Sequence, residues 1–467
     1  MKQINILLIL ALLAFSAGSC QKYLDVNPSK GKIIPNDVKQ FRGLMTYYYM
    51  SDYTEYQAVM MTDDIALDAA RTNSYNADAA NAFRFSADKY WAKDIWTKAY
   101  KRINTFNTVI DYVMDAPKGS QQEKEEVLAT AYVLRAFEYY ELVNLFCKTY
   151  EAGKSNDAMG VPLVLRSDIN QTLGTRETVQ KVYDQLLKDI LDNIAKLPES
   201  GAASMEINRQ GAFGMLARIY LQMQNYPKAM EMAEKALSIS KPVIDYNQFQ
   251  LKTPGNYYSG FVNWPDFNVW PGAIYLRKFG TPAALGKAYF YMSGGLDALF
   301  AANDLRRTVH FYNKESGGKP FAMGWQLAPN LSSAGYRNTG IGTSELQLII
   351  AESAVRLASK PEAIQKALKQ LNDLRRLRFP TGTYTDLSSA DALEVLQWTL
   401  DERRRELFMT PTRLYDIKRL NLEPAFRKKI VHTLGTETYT LEADSKLMLP
   451  LLPLEAMYNS DIKQNER

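Results

Sequence analysis

The chain has 467 residues, 46% hydrophobic and 23% charged, with 56 Lys plus Arg against 51 Asp plus Glu and a formal net charge of +5. So small a surplus gives no electrostatic footprint for nucleic acid, and the densest basic cluster, Arg403 to Arg405, is flanked by Asp401, Glu402 and Glu406. Two histidines far apart in sequence and two cysteines argue against a metal cluster or a Cys/His nucleophile, and no Walker-type loop or GxGxxG motif after a strand occurs.

The first element is a leader. Lys2 precedes an apolar run that ends at Phe15, and the small residues Ala17, Gly18 and Ser19 stand directly before Cys20. This is the pattern of a secretory signal with a lipoprotein-type cleavage site. The run is shorter than the roughly 20 apolar residues of a membrane span. Cleavage after Ser19 leaves Cys20 as the new N-terminus, where thiol and amine can both be acylated, and two or more chains anchor a protein stably. Residues 1–19 are therefore expected as signal peptide and 20–35 as a lipidated linker, ending in the stretch NPSKGKIIP. With Cys20 acylated, Cys147 has no disulfide partner and is expected as a small apolar core residue.

Helical spacing begins near Asn36. Asp37 to Met50 carries it, and so does Lys98 to Asp115, where Trp96, Tyr100, Ile103, Phe106 and Ile110 recur every three or four residues. Between them Asp63 to Lys89 is expected as a loop. Lys124 to Phe146 begins acidic and continues apolar on most sides, which predicts a helix buried among others. Gly160 to Leu165 is a short extended piece. Thr175 or Thr178 can cap the next helix, which runs to Leu197.

Gln210 to Pro242 is the most informative internal stretch. Phe213, Leu216, Ala217, Tyr220, Ala229, Ala233 and Ala236 fall at the small and large positions of a tetratricopeptide repeat. A weaker copy spans Leu346 to Leu377, with Ile350, Ala351, Ala354, Ala363 and Ala367 in place. Because one repeat rarely stands alone, 98–115 with 124–147 and 175–197 with 208–223 are expected as further helix pairs. The reading is a mainly α protein: a helical part over 36–244, a loop-rich part over 245–342, and a second helical part over 343–467 that closes the scaffold. In the loop-rich part helical periodicity fails except for a short helix around Leu296 to Ala302. Leu400 to Leu420 returns to helix with a break near Pro411, and the end from Leu447 is expected to lie over the surface.

The chemical signals are few. Asp63 and Asp64 are adjacent acids, which rarely converge on one bond, so loop capping is their expected role rather than acid/base work. Arg403 to Arg405 sit among helix neighbours of opposite charge, Asp401 with Arg405 and Glu402 with Arg403, and are expected to form ion pairs. Aromatic residues carry the remaining signal: seven of the 23 residues from Asn256 to Lys278 are aromatic, against about three at the chain average of 12%. Rings on loops offer flat platforms for the apolar faces of sugars or for peptide side chains. The candidate contacts are Tyr257, Tyr258, Trp264 and Trp270, extended by Trp325 and Tyr336, with Trp91 ahead of the second helix. The alternative is that such rings form the local core of a region without helical packing. No cofactor, metal or catalytic residue is indicated.

The landmarks SCQKYLDVNP (19–28), WTKAYKRINTFN (96–107), AYVLRAFEYYELVNLF (131–146) and GVPLVL (160–165) occur in that order, followed by INRQGAFGMLARIYLQMQNYPKAMEMAEKAL (207–237), NDLRR (303–307), ELQLIIAESAVR (345–356), DERRRELF (401–408) and RLYDIKR (413–419). In these the chain resembles the SusD/RagB family of outer-membrane nutrient-binding lipoproteins. The resemblance implies four tetratricopeptide-like helix pairs with an irregular ligand-holding part. It also implies a non-enzymatic surface lipoprotein of the cell outer membrane that hands a glycan, or in some members a peptide, to a SusC-type TonB-dependent transporter. A protein-interaction scaffold without a small ligand is the alternative. Two departures stand out: Thr410-Pro411-Thr412 follows the ERRREL element, and KQNER closes the chain where the family has an Asn-Pro-Gly-Tyr ending.

Overall fold

Fourteen helices and twelve short strands make up the described residues of the computed structural model, which are 35–49, 56–70, 75, 77–86, 91–167, 174–199, 205–239, 243–254, 259–265, 270–280, 290–312, 315–316, 319–320, 326–327, 336–358, 361–442, 449 and 462–465. Cys20 with its leader, Tyr257, Tyr258 and Trp325 lie outside them. The helices are α1 (Val38–Tyr49), α2 (Tyr56–Met60), α3 (Ala77–Phe83), α4 (Lys93–Tyr112), α5 (Gln121–Phe146), α6 (Val179–Leu191), α7 (Arg209–Gln222), α8 (Tyr226–Leu237), α9 (Gly294–Asp297), α10 (Leu305–His310), α11 (Thr343–Arg356), α12 (Pro361–Arg376), α13 (Ala392–Glu406) and α14 (Thr412–Leu420).

Helix α5 is the central rod. Ser120 caps it, its hydroxyl accepting from the Glu123 N–H while the Glu123 carboxylate accepts from the Ser120 N–H, so two orphan donors are satisfied reciprocally. From Val127 onward nearly every side chain is buried. The charged ones survive burial because each is paired: Arg135 forks onto Asp189 of α6 at 2.7 and 2.8 Å, Glu138 meets Arg102 of α4 at 2.8 Å and Arg277 at 3.0 Å, and Glu141 accepts from Tyr415 of α14. Cys147, at its end, is fully buried.

The predicted repeat is the pair α7 and α8. Asn208 and Asn225 cap the two helices, and Ala217, Ala229, Ala233 and Ala236 are all fully buried where the helices approach each other. Gly214 is needed for close approach, since a Cβ there would lie 2.5 Å from Ile341. The weaker copy is α11 with α12, whose Ala351, Ala354 and Ala367 join Leu348, Leu371 and Leu400 in a second core. Helix α8 packs on α11, and α11 also packs on α13, so the stack is continuous. One expected pairing differs: α6 packs chiefly on α5 rather than on α7, because the buried Arg135–Asp189 fork fixes it there.

Strands are short. β1 (Ile65–Leu67), β4 (Phe290–Met292), β8 (Gln326–Leu327) and β5 (Phe311–Tyr312) form an antiparallel sheet in the order β1-β4-β8-β5. Two-stranded pieces join β2 (Ala273–Tyr275) to β10 (Ile341–Gly342), β3 (Lys278–Gly280) to β9 (Tyr336–Asn338), and β6 (Glu315–Ser316) to β7 (Lys319–Pro320). β11 (Ile430–Leu434) and β12 (Glu437–Leu441) make a hairpin whose β11 alternates buried and exposed, turned at Gly435 with φ 65°.

Several expectations need correction. The 63–89 stretch is not all loop, since it holds β1 and α3. The short helix near 296 occupies 294–297, capped by Ser293, and not 296–302. Of the end from Leu447 only 449 and 462–465 are described, and among these Leu449, Ile462 and Asn465 are buried while Lys463 is exposed. The break near Pro411 is present, with α13 ending at Glu406, Met409 at φ 58° and Pro411 leading into α14.

Candidate functional site

The loop-rich part organises around Tyr246 and Phe249. Asp245 caps the short turn 246–248 through the Asn247 N–H at 2.9 Å, and an isolated bridge pairs Leu251 with Phe261. That bridge brings the 261–265 strand of chain back beside Phe249. Trp264 then lies 5.0 Å from Phe249 and 5.1 Å from Phe261, while Trp270 lies 5.2 Å from Trp264 at 58° and 6.3 Å from Phe249. Phe249 and Phe261 are buried, Trp264 and Trp270 are half-buried, and the adjacent Val262 is 61% exposed. The two indoles therefore stand on a buried aromatic floor with part of each ring toward solvent.

The floor is wired into the scaffold. Tyr246 Oη lies 2.9 Å from His310 Nε2 of α10, and the Arg378 guanidinium stacks over the Tyr246 ring at 4.1 Å. Arg378 in turn pairs with Glu406 of α13 at 2.6 Å, and Arg306 of α10 pairs with Glu402 at 2.6 Å and with Glu406 at 3.1 Å. Burial pushes Glu406 up, but Arg378 and Arg306 outweigh it and hold its carboxyl at about 2. These charges are committed to one another, and the platform they support is positioned by rigid helices.

A cleft of about 770 Å³ opens elsewhere, between β1 and the Met292–Gly294 turn on one side and β11 on the other. Its floor includes Asp63, which accepts from Arg413 at 2.8 and 2.9 Å and also pairs with Lys428 and Arg404, while Asp64 pairs with Arg404 at 2.6 Å. Burial opposes ionisation, yet Arg413, Arg404 and Lys428 together hold the Asp63 carboxyl far below the usual range. The expected loop-capping role of these acids is thus replaced by tertiary ion pairing. Of the arginine triple, Arg405 pairs within its helix to Glu402, but Arg403 reaches Asp416 and Arg404 reaches Asp63 and Asp64. His432 of β11 is stacked between Phe83 at 4.1 Å and Phe85 at 4.6 Å, with its two nitrogens 2.7 Å from Phe83 O and 2.8 Å from Thr62 O. Burial pushes its pKa down, and it acts as the peg of the hairpin.

Of the predicted contacts, Trp264 and Trp270 are brought together. Trp91 is not part of any surface: it is 1% exposed in the main core, with its Nε1 donating to Ser86 O at 3.1 Å. Tyr336 opens β9 opposite Gly280. The cleft was missed because its walls come from residues near 65, 293 and 432, and the only local signal was the adjacent acids Asp63 and Asp64.

The described residues thus form a stacked-helix scaffold that carries two half-buried indoles on an irregular insertion. Residues 22–221 match the family model described as "Starch-binding associating with outer membrane", and residues 331–466 match the model described as "SusD family". The chain belongs to the SusD family. It is similar to SusD-like protein P2 of Formosa agariphila, 23% identical over 457 residues that cover 87% of this chain and 86% of that one. Among solved structures it resembles a SusD superfamily protein of Bacteroides thetaiotaomicron (TM-score 0.71, 20% identity, 92% of this chain and 100% of that one). A putative sugar binding protein of Bacteroides vulgatus gives TM-score 0.70 at 20% identity, with 93% and 99% covered. Surface glycan-binding protein A of Bacteroides uniformis gives TM-score 0.66 at 16% identity, with 91% and 99% covered.

Proposed function

We propose that this chain is a surface-exposed outer-membrane lipoprotein, anchored through acylated Cys20, that binds a nutrient glycan without turning it over and passes it to a SusC-type TonB-dependent transporter. The observation that carries the reading is the Trp264–Trp270 pair, two rings 5.2 Å apart, half-buried on a floor of Phe249 and Phe261. Such rings cover the apolar C–H faces of a pyranose while their orientation is already fixed, so little side-chain freedom is lost on binding. Tyr257, Tyr258, Trp325 and Tyr336 are proposed as further ligand contacts. The family description and the two structural relatives named for sugar and glycan binding support the ligand class.

Isothermal titration against an oligosaccharide panel tests it. Trp264→Ala and Trp270→Ala are each expected to weaken the bound glycan by about 2 kcal/mol, or ~30-fold, while Trp270→Phe retains most of the affinity. Thermal melting of each variant separates loss of the contact from loss of the fold. Unchanged affinity in both alanine variants, with a folded protein, moves the site off the platform.

A further inference from the structure

His432 lies on the buried face of β11, and each of its ring nitrogens meets a backbone carbonyl oxygen: Nδ1 is 2.7 Å from Phe83 O and Nε2 is 2.8 Å from Thr62 O. A carbonyl oxygen only accepts. A neutral imidazole has one N–H and one bare nitrogen, so it satisfies one of these contacts and sets two acceptors against each other at the second. The imidazolium, with two N–H groups, fits both. The flanks of the ring suit the charge as well, since it stacks on Phe83 at an interplanar angle of 14° and on Phe85 at 26°, and an aromatic face attracts a cation.

The two carbonyls belong to different parts of the fold. Phe83 ends α3, whereas Thr62 stands just before Asp63 and β1, which line the cleft opposite β11. A doubly bonded ring therefore fastens the hairpin to both. The ionisable groups on the elements around it are Asp63 and Asp64, with Arg404, Arg413 and Lys428 paired to them, Arg84 between the two phenylalanines, and Glu437 and Tyr439 of β12, where Tyr439 is the register partner of His432. Asp63 is the charge that bears on the ring, and it favours the imidazolium. Burial is the larger effect and works against the charge, so the second proton is lost below the ordinary histidine value of 6.5.

We propose that His432 is a proton-operated latch: charged, it ties β11 to both Phe83 O and Thr62 O and closes the hairpin onto the β1 wall of the cleft; neutral, it keeps Phe83 O and releases Thr62 O. The phenylalanine sandwich decides which contact is kept, because it holds the ring beside α3. The state with two contacts binds the extra proton more tightly than the state with one, in which the ring is still buried, so falling pH favours the closed hairpin. Against the unfolded chain the sign is opposite, since the buried ring holds its proton less tightly than a solvated one. The latch is therefore read locally and not from the melting temperature. It does not depend on what the protein binds.

The chain has two histidines, which makes the test direct. Ring nitrogen shifts of the mature chain, labelled with 15N at histidine, are followed from pH 4.5 to 7.5; the His432 signals are those absent from His432→Gln and retained in His310→Gln. Two N–H nitrogens are expected at the acid end and Nδ1–H alone at the neutral end. Hydrogen exchange, corrected for its intrinsic pH dependence, is expected to be about tenfold faster at the neutral end for peptides covering 56–67 and 430–434, and about equal at both ends in His432→Gln. A ring that keeps one charge state throughout, or a neutral ring that carries its proton on Nε2, overturns the latch. A change in exchange that persists in His432→Gln overturns it too. Where that variant does not fold, the spectra of the unmodified chain and of His310→Gln decide alone.

Discussion

Glu402 is fully buried on α13 and accepts from three guanidiniums, those of Arg306, Arg375 and Arg405, each at 2.6 Å. Arg306 belongs to α10, the helix that supplies His310 beneath the aromatic floor, so Glu402, with Glu406 beside it, joins the scaffold to the loop-rich part. Glu402→Gln keeps the shape and removes the charge, leaving the buried Arg306 and Arg405 and the partly buried Arg375 under-compensated. Loss of one partner of a buried pair costs about 3–5 kcal/mol. Urea unfolding is expected to show a decrease of that order, whereas Asp401→Asn, one residue earlier and bonded to Gln397, is expected within about 0.5 kcal/mol of the unchanged protein. The sequence announced ion pairing around Arg403 to Arg405, but the pairs expected there, Asp401 with Arg405 and Glu402 with Arg403, are not the ones formed. Helix spacing reveals neighbours three and four residues away, such as Glu402 for Arg405. It carries no information about Asp63, some 340 residues distant, which Arg404 finds only in the folded chain.

At the scale of elements, the C-terminal end of α5 shows how the chain terminus becomes part of the core. A helix leaves its last carbonyls without intrahelical donors. Here Lys418 Nζ donates to Asn144 O and Cys147 O, the Leu449 N–H donates to Leu145 O at 2.8 Å, and Asn465 Nδ2 and Arg176 donate to Phe146 O at 2.8 and 3.3 Å. Burial pushes the Lys418 ammonium down to about 8, and two cationic side chains at a helix C-terminus also suit its dipole. Asn465 bonds Leu449 O as well, at 2.9 Å, so it clips two segments at once. Asn465→Ala leaves two buried acceptors poorer and is expected to cost about 1–3 kcal/mol. Hydrogen exchange should show faster exchange in the last turn of α5 and little change in α7; equal protection in both proteins would deny the clip. A sequence ending in KQNER gave no hint of this, because a capping side chain is defined by the carbonyl it reaches and not by its neighbours in the chain.

For the whole molecule, the legible and the illegible divide by contact range. Helical periodicity in α4, α5, α7, α8, α11 and α12 was readable because each apolar stripe is local, and the small-residue spacing of Ala217, Ala229 and Ala233 even disclosed how α7 meets α8. The aromatic density near 264–270 was readable too, although its partition into the buried floor of Phe249 and Phe261 and the outer Trp264 and Trp270 was not. The sheet joins Ala66 to Tyr291, and the cleft joins β1 to β11, so neither is written in any window of sequence. Buried ion pairs such as Arg419–Glu352 and Arg378–Glu406 add to these long-range contacts, and they give the molecule an acid limit. Burial pushes Glu352 and Glu406 up, but Arg419 and Arg356 around the first and Arg378 and Arg306 around the second outweigh it and hold both at about 2, against 4.5 for an ordinary glutamate. In the unfolded chain these groups take up protons first as the pH falls, so their contribution is whole above about 4.5 and drains away toward 2. The urea midpoint is therefore expected to be nearly flat between pH 5 and 7 as far as these glutamates are concerned, and to fall steeply below 4.5. Glu352→Gln should be less stable at pH 7 and should fall less steeply, approaching the unmodified chain near pH 2.5. Parallel curves for the two proteins down to that pH would show that Glu352 does not carry the acid dependence.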